Sequence, residues 1–96
     1  MRGIDLSHHN GDVDMSAVKN AGYDFVIIRA GFGKYVYQKD AKFEQNYLNA
    51  KRVGLHVGAY WYTYATDAKE ALEEAKTCEL VLGNKIFDLP IFIDIE

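Results

Sequence analysis

Alternation constrains this chain more than any other feature of it. Short apolar runs recur, and each is followed by a stretch with helical spacing. Gly3 to Ser7 reads as a first strand. Phe25-Val26-Ile27-Ile28-Arg29-Ala30 is a second, rich in the β-branched residues that favour extended backbone. Leu55 to Tyr62 is a third, and Pro90 opens a fourth, Ile91 to Ile95. The stretches between them have recognisable helix ends. Asp14 is placed to cap Met15 to Ala21, with Gly22 at its end, and Asp40 to cap Ala41 to Val53, with Gly54 at its end. Asp67 is placed to cap a third helix, with Glu70 in the capping-box position and Gly83 closing it. Phe43, Tyr47 and Ala50 mark the apolar stripe of the second helix, and Ala71, Leu72, Ala75, Cys78 and Leu82 that of the third.

The order is therefore βαβαβαβ. Each connection is long enough to cross between parallel strands. The expectation is one α/β domain built on a parallel sheet, since 96 residues hold one domain at most. The chain also stops on a strand, which leaves a βα unit unfinished and the sheet edges open. That predicts a piece of a longer enzyme, or half of an assembly in which copies pair through their edges.

Composition narrows the function classes. The net charge is -3, with no basic footprint for nucleic acid or an anionic membrane. No apolar run approaches the roughly 20 residues of a membrane-spanning helix. Met1-Arg2-Gly3-Ile4-Asp5 leads straight into a strand, without the look of a signal peptide. Cys78 is the single cysteine, and its place on a helix stripe makes it a small core residue rather than a nucleophile. Aromatic residues make up 14%, many near strand ends, where rings either pack in a core or stack on sugar faces.

Active sites of parallel α/β folds lie at the C-terminal ends of the strands. Three acids occupy such positions: Asp5 late in the first strand, and Asp94 and Glu96 at the end of the fourth. Side chains alternate along a strand, so Asp94 and Glu96 share a face with Phe92, while Ile91, Ile93 and Ile95 take the other. The two acids then stand roughly 6–7 Å apart along the backbone. Like charges that close hold one proton on at higher pH than a free carboxyl group does. Glycoside cleavage needs such a pair: one acid protonates the leaving oxygen while negative charge stabilises an oxocarbenium-like centre.

Other residues admit two readings each. Tyr60 and Tyr62, near the end of the third strand, could touch sugar or bond to a catalytic acid, or simply pack. Arg29 could pair with a site carboxylate and lower its pKa, or form a surface salt bridge. His8 and His9 could hold a metal with Asp5, but the spacing fits no strong zinc motif. A solvated loop or a hydrogen-bonded pair is the simpler account. His56 shares a strand face with Gly58, Tyr60 and Tyr62 and reads as a core histidine. Gly31-Phe32-Gly33 lacks the Lys-Ser/Thr of a phosphate loop.

Five blocks, in order and spacing, resemble glycoside hydrolase family 25 lysozymes. They are Gly3-Ile4-Asp5-Leu6-Ser7; Ala21 through Gly31; Asp40, Phe43 and Asn46; Ala50 with Gly54 through Tyr60; and Leu89-Pro90-Ile91-Phe92-Ile93-Asp94-Ile95-Glu96. The resemblance covers nearly the whole chain. It implies the N-terminal half, residues 1–96, of a TIM-like β/α barrel of about eight strands. It also implies hydrolysis of the β-1,4 bond between N-acetylmuramic acid and N-acetylglucosamine in bacterial peptidoglycan. Glu96 would be the general acid, Asp94 would stabilise charge and orient the substrate's 2-acetamido group, and Asp5 would tune the pair. Beside these, Tyr60, Tyr62 and Arg29 are the candidate substrate-binding residues read from their strand-end positions. The implied partner is the glycan strand, with no cofactor or metal, and the implied setting is a secreted or cell-wall-acting enzyme, bacterial or a phage endolysin. Two departures stand out: Trp61 occupies a position where the family often has His, and the second half of the barrel has no counterpart in these residues. A wall-binding half-barrel without catalysis, or a half-barrel dimer, fits the same letters.

Overall fold

The computed structural model describes residues 2–95, the last two by their backbone. Among them, strands and helices alternate as β1 (Gly3–Leu6), α1 (Met15–Asn20), β2 (Phe25–Phe32), α2 (Phe43–Arg52), β3 (His56–Thr63), α3 (Ala68–Leu82) and β4 (Ile91–Ile95). Single 3-10 turns occupy His8–Asn10 and Val36–Gln38. All pairings are parallel, and the sheet order is β1-β2-β3-β4. The expected α/β alternation is thus present, and the order never reverses. Right-handed crossovers on a sheet that grows in one direction put every helix on the same face. That is the winding of a barrel wall, not of a doubly wound sheet.

The covered face carries the core. Val26, Ile28, Val57 and Trp61 meet Phe43 of α2 and Cys78 and Val81 of α3 there, all buried. Each large apolar side chain removed from water contributes about 1.5–3 kcal/mol. The alternation of strand side chains sends the intervening residues to the opposite face. On that face lie Asp5, Ile27, Arg29 and Tyr60, exposed or half-buried.

Two helix caps follow the expectation. The Asp14 carboxylate accepts from Ala17 N at 3.1 Å, and the Asp67 carboxylate from Glu70 N at 2.8 Å. The Glu70 side chain does not complete a capping box; it accepts from Thr66 Oγ1 at 2.6 Å. Helix α2 differs more. It starts at Phe43, after Lys42, with no side-chain cap. Asp40, expected to cap it, is buried and ties two loops together. Its carboxylate accepts from His8 N (3.1 Å), from Lys42 N (2.9 Å), and lies 2.9 Å from His8 Nδ1. The cause lies upstream: β2 runs two residues past Ala30, and Asp40 N donates to Ala30 O at 2.8 Å. This draws Asp40 beneath the end of β1, where a buried carboxylate finds the several donors it needs.

Helix α3 also corrects the expected stripe. Ala71, Leu72 and Ala75 are exposed, and Glu74, Thr77, Cys78 and Val81 are buried. The buried face is rotated by roughly a quarter-turn from the apolar one. Two polar anchors set the rotation. Thr77 Oγ1 donates to Lys34 O at 2.6 Å, and a Glu74 carboxylate oxygen accepts from Tyr64 N at 3.0 Å. His56 is likewise not a core residue. It begins β3, exposed, at the end of the sheet where the chain enters from the α2 loop.

Candidate active site

The helix-free face is built in rows by strand register. Asp5 pairs with Ile27, and Ile27 with Gly58. Arg29 pairs with Tyr60, and Tyr60 with Phe92. A bulge then interrupts β2 between Arg29 and Gly31, so that Phe32 pairs with Tyr62. The extra residue reverses the alternation, and Phe32 joins the face of Arg29 instead of the helix side. Gly31 is required for this. A Cβ there would lie 2.8 Å from Trp61 Cζ3 and 2.9 Å from Gln38 O. Trp61 closes the bulge from the core side, donating from Nε1 to Gly33 O at 3.0 Å. Trp61 is thus a buried packing residue that shapes the rim.

Asp5, Ile27, Tyr60, Phe92 and Ile93 line a cavity of about 460 Å³ on this face. Beyond it lies a layer of rings around a cation. The Arg29 guanidinium sits 4.9 Å from the Phe32 ring centre and 5.7 Å from that of Tyr62. Tyr64 lies 5.3 Å from Tyr62 and meets Phe32 edge-on at 5.9 Å. Arg29 was expected at a carboxylate or a surface salt bridge. Its contacts among the described residues are to ring faces, and its buried Nε has no hydrogen-bond partner there.

Asp5 and Tyr60 thus share the cavity, and Arg29 and Tyr62 share the layer beside it. Asp94 is placed by its backbone, in register with Tyr62. Glu96 lies outside the described residues. Asp88, which the sequence did not single out, seats β4. Its N donates to Val57 O, and its Oδ2 accepts from Val57 N, both at 2.9 Å. The Lys51 ammonium, 2.9 Å away, and then the Val57 N–H hold the Asp88 carboxyl below the usual carboxylate range. Phe32 was hidden because no sequence pattern marks a bulge. Tyr64 could have been found, since it continues the Tyr60, Tyr62 alternation.

The remaining candidates fall elsewhere. His8 is hydrogen-bonded to Asp40 rather than to His9, whose ring lies 3.9 Å from its own. Among the described residues, no group of three or more His, Cys, Asp or Glu is placed to hold a metal ion. Cys78 is buried in the core, and burial, then the Glu79 charge, pushes its thiol up to about 11. It is packing, as its helix position suggested.

A face of this kind offers carboxylate at strand ends, ring faces, and apolar floor. Those are the elements that recognise a sugar: rings for its C–H faces and acids for its hydroxyl groups.

Comparison with known proteins agrees with that character. Lysozyme M1 of Streptomyces globisporus is 42% identical over 62 residues, covering 65% of this chain and 20% of the relative. The autolytic lysozyme of Clostridium acetobutylicum is 37% identical over 73 residues, covering 76% and 22% respectively. Among solved structures, the modular autolysin LytC from Streptococcus pneumoniae, in complex with a synthetic peptidoglycan ligand, superposes with a TM-score of 0.86 at 28% identity. That match covers 98% of this chain and 22% of the autolysin. The chain spans about a fifth of the length of the curated lysozymes it matches. The family model described as glycosyl hydrolases family 25 matches residues 4–96, nearly the whole length, and the chain belongs to that family.

Proposed function

We propose that this chain is the N-terminal half of a barrel domain that hydrolyses the β-1,4 bond between N-acetylmuramic acid and N-acetylglucosamine in peptidoglycan. The observation that carries the reading is the Asp5 cavity. A carboxylate at a strand end, beside Tyr60 and Phe92, opens on the one face that no helix covers. The family match and the lysozymes among its relatives support the same chemistry. In this reading Glu96 donates the proton to the leaving oxygen. Asp94 stabilises the developing positive charge and orients the 2-acetamido group. Asp5 adds negative charge that keeps the acid protonated. Tyr60 and Tyr62 contact the sugar, and Arg29 holds the ring layer against them. The enzyme acts at the bacterial cell wall, and no step calls for a metal.

Turnover of purified peptidoglycan by the full chain, measured as release of reducing ends, tests this. Glu96→Gln is expected to abolish cleavage and leave glycan binding largely intact. A variant that cleaves at the parent rate ends the assignment of Glu96.

A specific observation also favours an added strand at β4. Its Ile91, Phe92 and Ile93 are exposed, and only β3 pairs with it among the described residues. We propose that this edge takes further strands of the barrel, or else a second copy. Sedimentation of the chain distinguishes the two.

A further inference from the structure

The loop between β2 and α2 presents two tyrosines that the cavity does not use. Tyr37 is 81% exposed and Tyr35 48%. Their rings are parallel within 8°, with centres 5.3 Å apart. Leaving such rings in water gains nothing from the core, to which neither belongs. Nor is the loop a loose one. Tyr35 N donates to Gln38 Oε1, and Gln38 N to Tyr35 O, both at 3.0 Å. Lys39 N donates to Val36 O at 3.1 Å. The loop's base is pinned from two sides, by Trp61 Nε1 on Gly33 O and by Thr77 Oγ1 on Lys34 O. Gly33, at φ +69°, supplies the turn that a side chain would oppose.

A flat aromatic pair held by this many bonds is ordered before any ligand arrives, so binding loses little conformational freedom. The Tyr35 ring also takes the Lys34 ammonium, 5.6 Å from its centre, so it is the more exposed Tyr37 ring that suits the C–H face of a pyranose. The loop leaves β2 just after Phe32, at the end of the sheet where Tyr62 and Tyr64 lie, and a glycan strand longer than the cavity would pass that end. We infer that Tyr35 and Tyr37 form an outlying stacking subsite for the glycan strand, separate from the cavity. This rests on the glycan reading above.

The test compares the full chain with Tyr37→Ala and Tyr37→Trp in sedimentation binding to purified insoluble peptidoglycan, with far-UV circular dichroism as the folding check. Tyr37 is so exposed that its truncation is expected to leave the dichroism unchanged. Affinity is expected to fall about three- to tenfold in Tyr37→Ala, the range for loss of one aromatic stack, and to return in Tyr37→Trp. If the parent binds and Tyr37→Ala binds equally, the subsite is wrong and the glycan reading survives. Failure of Tyr37→Trp to restore binding also overturns stacking. If the parent binds no glycan, both fall. Binding to phosphatidylcholine vesicles that disappears in Tyr37→Ala, with glycan affinity unchanged, assigns the loop to lipid and overturns the inference.

Discussion

Replacing Asp40 with Ser separates two roles that one letter could play. Serine caps helices about as well as aspartate, so a residue acting only as the α2 cap would tolerate the change within about 0.5 kcal/mol. The structure gives Asp40 a different task. Its buried carboxylate accepts from the main chain of the β1–α1 loop at His8 N, and from Lys42 N, and bonds to the His8 ring. A serine hydroxyl can still reach Lys42 N, two residues on. It is too short to span to His8. The bond at His8 N is made to a charged group, the class worth about 1.5–3 kcal/mol. The His8 ring is partly exposed and recovers its bond from water. The expected loss is therefore about 1.5–3 kcal/mol. With a urea m-value of about 1 kcal/mol/M for a chain of this size, the midpoint drops by about 1.5–3 M. His8→Ala removes only the ring bond and is expected to lose under 1 kcal/mol, and a double-mutant cycle isolates that pair. Urea unfolding followed by circular dichroism measures all four proteins. A loss below 0.5 kcal/mol in Asp40→Ser would refute the loop-tie argument and return Asp40 to the role of a cap.

Asp88 carries a pH dependence. Its carboxyl is lowered by Lys51 and by the Val57 N–H, so the folded state binds that proton less readily than the unfolded chain. The stabilisation is complete above the unfolded value of about 3.9 and disappears as pH falls through the lower folded value. Asp88→Asn is expected to flatten the stability profile below about pH 4, and an acid titration unchanged by the substitution contradicts the assignment. Gly31→Ala is expected to destabilise by about 1–3 kcal/mol, because the new methyl meets both Trp61 and the fixed carbonyl of Gln38. Thermal unfolding reads it, and a neutral result means the bulge relaxes without strain.

The legible part of this molecule was the part with local causes. Four strands and three helices followed from β-branched runs, Asp caps and glycine ends, because those act within a few residues. The same holds for Cys78, whose helix position already placed it inside. Of the candidate site residues, the placement was legible: Asp5 and Tyr60 share the cavity, and Arg29 and Tyr62 the ring layer, on one face as the alternation required. Where the alternation failed, at Ala30, nothing nearby in the sequence announced it. The bulge is set against Trp61 of the neighbouring strand, which leaves no room for a Cβ at Gly31.

By itself the sequence determined the order of elements and the parallel sheet, which patterning encodes directly, and its five blocks resemble the family whose model it matches. Tertiary structure alone decided which way α3 turns its faces, what Asp40 holds, and that Phe32 joins Tyr62 around Arg29 with Tyr64 against both rings. Each depends on a hydrogen bond or a ring contact between residues more than ten positions apart, such as Thr77 with Lys34 or His8 with Asp40. A polar side chain can satisfy its bonds with any neighbour the fold supplies, so its partner is unknown until the chain has closed on itself.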